Sequence, residues 1–283
     1  MHDIFYFTDI HGHYELYHTI MDYCKEQDPE ATIIFGGDAI DRGKEGYRIM
    51  KELLSNPYVI YLKGNHEDMF CKAAREIKHM FYFKDADTEK IHKVLNACKH
   101  FDYKYTAIQD SLHNGGLPAL TDWILDGMPM DLVKNIENLT LTFVYNNMDF
   151  CHAGSTYKVF KDVYDKEYNN EKIPEWDAEA LLWSRTSLNI GWEPNRICVL
   201  GHTPVPYLAD YIDDFKWPEE RDIAPAYFQV INEMFPQMNG WKLDMDTGAI
   251  FTNRAFVLNV LTMQVQGFEY ENSEMKKIEL IQF

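Results

Sequence analysis

The sequence predicts an α/β layered fold with parallel strand pairing in its first part, and three observations carry that prediction. Short apolar runs of strand character recur at residues 4–7, 33–35, 58–62, 149–151 and 197–200. The segments joining the first three runs show helical spacing instead, with Leu16, Ile20 and Tyr23 in one and Tyr47, Met50 and Leu54 in the other. Each of the five runs also ends in Asp, Asn or His beside a glycine. Strand, helix, strand in succession builds a parallel sheet, and such sheets bind ligands at the carboxyl ends of their strands.

The later elements follow the same logic. From Asp68 to Asn138 the pattern turns mostly helical and polar, so this stretch, about 68–138, is expected as an insertion between two strand-rich halves. Strands return at 241–245, 249–252, 255–261, 264–270 and 277–281. Residues 205–240 are aromatic, acidic and dotted with proline, and they give no clear assignment.

Composition bounds the function. With 283 residues, 46% of them hydrophobic, the chain can bury a sizeable core and is not a disordered protein. Its charge, 27 basic against 45 acidic residues, sums to −18. Such a surface repels polyanions, so neither nucleic acid nor an anionic membrane is an expected partner. The five cysteines, Cys24, Cys71, Cys98, Cys151 and Cys198, are scattered without a C-x-x-C pair. That favours a reducing compartment over a disulfide framework or a zinc knuckle. The N-terminus lacks a basic leader, and no apolar run approaches the ~18 residues a membrane span needs. A cytoplasmic protein is expected.

The strand ends hold the chemistry. They read Asp9-Ile10-His11-Gly12, Gly37-Asp38 continuing to Asp41-Arg42-Gly43, Gly64-Asn65-His66-Glu67, His152-Ala153-Gly154, and Gly201-His202. A mixed set of carboxylate, amide and imidazole donors suits Mn, Fe or Zn better than Ca or Mg, which prefer all-oxygen shells. Six candidate ligands, with a carboxylate able to bridge, suit two cations about 3.5–4 Å apart.

These five motifs, in this order, resemble the calcineurin-like metallophosphoesterases, and within them the phosphoprotein phosphatases of bacterial and phage type. The likeness runs from residue 4 to about 204, and to 249 if Asp246-Thr247-Gly248-Ala249 is a late family motif. It implies a four-layer sandwich of two mixed β-sheets flanked by helices. Because one site would draw on positions 9 to 202, it also implies a single domain over 1–283, against the two that length alone suggests.

The resemblance implies roles as well. Asp9, His11 and Asp38 would hold one divalent metal ion. Asp38 would bridge to a second, completed by Asn65, His152 and His202. Manganese is the expected metal, with iron or zinc as alternatives. A hydroxide formed between the metals would attack phosphorus in line, without a phosphoenzyme. His66 would protonate the leaving group with Asp41 orienting its ring, while Arg42 and Arg185 would grip phosphate oxygens. The implied substrate is a phosphorylated protein or peptide, at serine or threonine and also tyrosine. Symmetrical hydrolysis of dinucleoside polyphosphates is the alternative, disfavoured by Asp41 and Glu67, since relatives of that kind usually read Gly-Asn-His-Asp and lack that aspartate. A nuclease would need a basic groove, and a non-catalytic scaffold would be expected to have lost ligands.

Other residues read as structural. His2, His13, His18, His79, His92, His100 and His113 are expected on the surface or on helices, although His113 precedes Asn114-Gly115-Gly116, which resembles a family loop near the substrate mouth. Glu67 reads as a helix N-terminal acid favoured by the dipole, and Cys151 as a buried strand thiol. Asp246 is balanced between a turn with Gly248 and a functional role. No cysteine has an arginine six residues later, and Gly37 to Lys44 is one residue too long for a P-loop.

Overall fold

The computed structural model describes residues 2–83, 86–100, 106–212, 224–230 and 237–283. Strands β1 (Ile4–Phe7), β2 (Thr32–Phe35) and β3 (Val59–Tyr61) pair in parallel, joined by α1 (Tyr14–Gln27) and α2 (Gly46–Ser55). The C-terminal strands β9 (Arg254–Asn259), β10 (Gln264–Glu271) and β11 (Glu274–Gln282) extend this sheet on the β1 side, antiparallel, in the order β11-β10-β9-β1-β2-β3. The second sheet has five strands: β4 (Thr142–Tyr145), β5 (Met148–Cys151), β6 (Ile197–Leu200), β8 (Trp241–Asp244) and β7 (Ala226–Gln229), in that order across it. Its β5, β6 and β8 run parallel.

Alternation along each strand divides the apolar side chains between three packed layers. On β1, Phe5 and Phe7 face the helices, while Tyr6 faces the other sheet and meets Phe150 of β5 at 5.3 Å between ring centroids. Ile34, Val199, Leu243 and Leu258 complete that inter-sheet core. Helices α3 (Asn65–Met80), α4 (Thr88–Cys98), α5 (Thr106–His113), α6 (Leu117–Leu125) and α7 (Met130–Glu137) lie between β3 and β4 in the chain. Residues from all five join the core on the outer face of the six-stranded sheet. Helices α8 (Tyr157–Tyr168) and α9 (Glu175–Trp183) cover the five-stranded one. The result is the expected four-layer sandwich, two mixed sheets with helices outside.

One expected strand is not a strand. Residues 249–252 form α10 (Ala249–Thr252), a single helical turn bracketed by left-handed residues, Gly248 at φ 71° and Asn253 at φ 55°. Those two reversals leave no room for extended pairing, whatever the apolar character between them. His13, expected among the surface or helix histidines, is buried, and its ring accepts from the Leu16 amide to cap α1. Residues 205–240 contain a 3-10 turn at Val205–Asp210 and β7; positions 213–223 and 231–236 lie outside the described residues. Among the described residues, no helix is long and apolar enough to cross a membrane.

Candidate metal centre at the strand ends

The residues that end β1, β2, β3, β5 and β6 converge in the structure. Asp9, His11, Asp38, Asp41, Asn65, His66, His152 and His202 are all at most 6% exposed. Six non-glycine residues of the centre are left-handed: Asp9 (φ 55°), His11 (46°), Asp38 (60°), Asp41 (67°), Arg42 (65°) and His202 (69°). Each such residue costs about 1 kcal/mol or more and persists only where its surroundings fix it. Here the fixing is visible. The amides of Asp9, His11 and Gly12 donate to the carbonyls of Gly37, Asp38 and Ala39 at 2.9–3.0 Å, and Gly43 N–H donates back to His11 O at 2.9 Å. The first two loops therefore form one hydrogen-bonded unit.

Glycine sets how closely the loops approach. A Cβ on Gly64 would lie 2.1 Å from Asp38 Oδ1, and one on Gly37, at φ 103°, would lie 2.7 Å from Gly64 Cα. Neither position can carry a side chain without moving a donor.

Two trios of ligand-type atoms lie within 4.8 Å of one another: His11, Asp38 and His66, and Asp38, His152 and His202. Asp38 belongs to both, as a bridging carboxylate would. Its Oδ2 is 3.6 Å from His11 Nε2, and its Oδ1 is 3.4 Å from His152 Nε2. Asn65 Oδ1 sits between His152 Nε2 at 2.9 Å and His202 Nδ1 at 3.0 Å. Asp9 falls in neither trio. Its Oδ2 accepts from Thr8 Oγ1 at 2.6 Å and from the His202 amide at 3.1 Å, while its Oδ1 is buried with no partner. His202 Nε2 is likewise buried and unpartnered. Orphaned donors and acceptors are rare in interiors; Asp41 Oδ1 is a third at this centre, and Asp9 Oδ1 and His202 Nε2, among mixed N and O donors, fit a divalent cation.

The second ring nitrogens are tied to the backbone. His11 Nδ1 and His152 Nδ1 donate to the carbonyls of Ile40 and Gly36, both at 2.9 Å, which leaves each Nε2 aimed inward. Charge is balanced by protons in the protein alone. Burial raises the Asp9 carboxyl to about 7, where His152 pulls it down and Asp38 pushes it up. Burial disfavours the His152 imidazolium, yet Asp38 outweighs it and lifts the ring to about 10. Burial and the neighbouring His66 hold His11 well below the usual histidine range.

His66 belongs to the first trio and also pairs with Asp41. Its Nδ1 donates to Asp41 Oδ2 at 2.7 Å, which leaves Nε2 facing the centre, 3.8 Å from Asp38 Oδ2. Burial works against a charged ring here too, but Asp38 and Asp41 together raise its pKa. Arg42 donates through Nη1 to His11 Nε2 at 2.8 Å, and its Nη2 lies 3.2 Å from His66 Nε2. Arg185 follows α9 at the opposite rim; burial, then His152 and the Arg185 charge, hold His202 well below the usual histidine range. Its guanidinium is 5.9 Å from the Tyr211 ring, and the Trp183 ring is 6.0 Å from the His202 ring.

Glu67 does more than its sequence position suggests. As N3 of α3 it accepts from the Gly64 amide at 2.9 Å. The same carboxylate accepts from Asp38 N–H at 2.8 Å, Ala39 N–H at 2.9 Å and Tyr61 O–H at 2.8 Å. It thereby clamps the Asp38 loop to the helix that bears Asn65 and His66. A glutamate three residues after a strand-end glycine is the capping-box signal, and it could have pointed here. Asn114-Gly115-Gly116 also reaches the site, since Gly115 O accepts the Arg42 amide at 3.0 Å; His113 itself is exposed. Asp246 accepts from Gly248 N–H at 2.8 Å, so the turn reading holds, and burial and then the Asp9 charge raise it well above the ordinary range. Cys151 is buried, with its Sγ 3.9 Å from that of Cys198.

The family profile described as calcineurin-like phosphoesterase matches residues 2–230. No curated protein matches the chain. Solved structures similar to it include a protein provisionally described as a diadenosine tetraphosphatase (13% identity, 98% of this chain and 93% of that one, TM-score 0.48). A cold-active protein-tyrosine phosphatase of a psychrophilic Shewanella species is 12% identical over 99% of this chain and 81% of its own, with a TM-score of 0.48. A protein serine/threonine phosphatase from Saccharomyces cerevisiae is 12% identical over 100% and 80%, with a TM-score of 0.45.

Proposed function

Because the chain belongs to the calcineurin-like phosphoesterases, we propose that its centre hydrolyses phosphomonoesters of proteins, at serine and threonine and also at tyrosine. That it is a phosphoesterase of the metallophosphoesterase type follows from the family; the substrate is our inference. The observation that carries it is the Asp41–His66 pair, hydrogen-bonded at 2.7 Å beside a bridging-type carboxylate. A phosphomonoester leaves as an alkoxide that needs a proton, and a buried histidine oriented by an aspartate can deliver one from Nε2, for about 10²–10⁴-fold in rate.

The residues fit two divalent cations, manganese first and iron or zinc as alternatives. Asp9, His11 and Asp38 would hold one, and Asp38, Asn65, His152 and His202 the other. Such ions supply Lewis-acid charge to phosphoryl oxygens and lower the pKa of a bound water. The protein's own part is positioning. The strand-end loops hold the donors in left-handed geometry, Arg42 and Arg185 hold phosphate oxygens from opposite rims, and Asp41, accepting from His66 Nδ1, favours the imidazolium whose second proton, on Nε2, faces the leaving group.

The test is phosphate release by chelated protein with and without added Mn²⁺, on a phosphothreonine peptide and on diadenosine tetraphosphate. Mn²⁺-dependent turnover of the peptide is expected, with a loss of about 10²-fold or more in kcat for His66→Asn. Faster cleavage of the dinucleotide would replace the phosphoprotein reading. Silence on both despite bound metal would overturn the phosphoprotein reading and leave a scaffold role or a different substrate.

A further inference from the structure

Lys242 lies on β8 and is 1% exposed, among the largest fully buried side chains of the molecule. Its surroundings are apolar or thiol. The Trp192 ring centroid is 6.0 Å from Nζ, and the groups that bear on it electrostatically are Cys198 of the adjacent β6, Cys151 of β5 and Asp244 of its own strand. Its hydrogen bonds go to carbonyls: Nζ donates to Ser187 O at 2.6 Å and to Leu188 O at 3.4 Å. An ammonium buried without a carboxylate at hydrogen-bond distance is costly, and a methionine would fill the same space without that cost. Burial accordingly pulls its pKa down to about 8.

The two carbonyls belong to the 3-10 turn at Thr186–Asn189, of which Arg185 is the first residue outside. Leu188 N–H donates to Arg185 O at 3.1 Å, so the turn and the arginine backbone move together. The arginine side chain is only half-buried, and its ring contact with Tyr211 is loose at 5.9 Å. We propose that Lys242 is a positioning residue: it fastens the 186–189 turn to β8, an inner strand of the five-stranded sheet, and so holds Arg185 over the centre. This rests on the reading of Arg185 as a phosphate-gripping group.

The experiment uses the full chain with Lys242→Met, Arg185→Ala and the double variant. KM and kcat for p-nitrophenyl phosphate, inhibition by inorganic phosphate and melting temperature are measured on each. Arg185→Ala is expected to raise KM about tenfold, the size of one lost charged contact to the bound anion. Lys242→Met should raise KM and the phosphate inhibition constant by most of that factor, with kcat changing less. The double variant should be no worse than Arg185→Ala, the non-additivity expected of residues acting through one contact. A folded Lys242→Met with a lowered melting temperature but wild-type KM would overturn the proposal and leave Lys242 a packing residue. If Arg185→Ala leaves KM and phosphate inhibition unchanged, the phosphate-gripping reading fails, and this proposal falls with it. Should Lys242→Met not fold, Lys242→Gln keeps a shorter donor; an intermediate KM supports the proposal and a wild-type KM overturns it.

Discussion

The two sheets furnish their rims of the centre in different ways. The six-stranded sheet contributes Asp9, His11, Asp38, Asn65, His66 and Arg42 on loops that brace one another through backbone hydrogen bonds and through the four donors gathered on Glu67. The five-stranded sheet contributes His152, His202 and Arg185. Its two histidine loops are linked by a backbone hydrogen bond, Gly201 N–H to His152 O at 2.8 Å, and they reach the first rim through His202 N–H to Asp9 Oδ2, His152 Nδ1 to Gly36 O and both rings to Asn65 Oδ1. One rim is built as a rigid frame, and the other is laid onto it. A centre that must hold strained residues needs only one side over-determined, provided the other docks accurately.

The strongest way to break this contrast is Glu67→Gln. The carboxylate offers acceptors to four donors, whereas the amide would turn an NH₂ group toward two of them. Cation affinity should fall about 10–100-fold, the usual loss when a supporting group behind metal ligands is removed, with little change in volume. Unchanged affinity by calorimetry would mean that the backbone braces suffice alone.

A smaller effect separates the arginines. Arg42 is fixed by the Gly115 carbonyl and by two histidine rings, whereas Arg185 has its turn and, among the described residues, a loose contact with the Tyr211 ring. Replacing Arg42 by Lys, which cannot reach both rings, should cost about tenfold in kcat/KM, and Arg185→Lys, less constrained, only about threefold. Equal losses would erase the distinction between frame and lid.

The mildest signal is protonic. Asp9, whose pKa is raised by burial to about 7 in the protein alone, binds its proton more tightly when folded than when unfolded. The metal-free protein should therefore lose stability as pH rises from about 4 toward 7, because folding then requires a buried carboxylate to ionise. Manganese uptake should reverse this and release about one more proton at pH 6 than at pH 8, read by calorimetry in buffers of different ionisation enthalpy.

Much of this was legible in the sequence because strand ends carry both a period and a punctuation. β1, β2, β3, β5 and β6 were readable from short apolar runs, and their ligand residues from the polar residue and glycine that follow; β8, β9, β10 and β11 were readable as strands alone. β4 was missed although Thr142-Phe143-Val144-Tyr145 has strand composition and Asn146, at φ 52°, opens the turn into β5. The helical, polar surroundings hid it. β7 sits in a stretch whose aromatic and acidic residues follow no single period. The strand expected at 249–252 failed because left-handed residues at both ends, not the apolar residues between them, decide the conformation. Glu67 looked like a dipole-favoured acid because sequence spacing shows the helix it begins and not the loop it clamps. Lys242 gave no signal at all, since a lysine on an alternating strand reads as an outward residue until the covering turn is placed over it.

The donors come from two sheets that otherwise meet through an oily seam of Tyr6, Ile34, Phe150, Val199 and Leu243. Cations gripped by both rims, as proposed, would act as rivets across that seam, and their binding energy would become cohesion between the layers. A chelator is then a solvent for one joint of the molecule. The sheets would loosen from each other before either came apart, so metal supply would govern how firmly this protein is assembled as well as how fast it turns over.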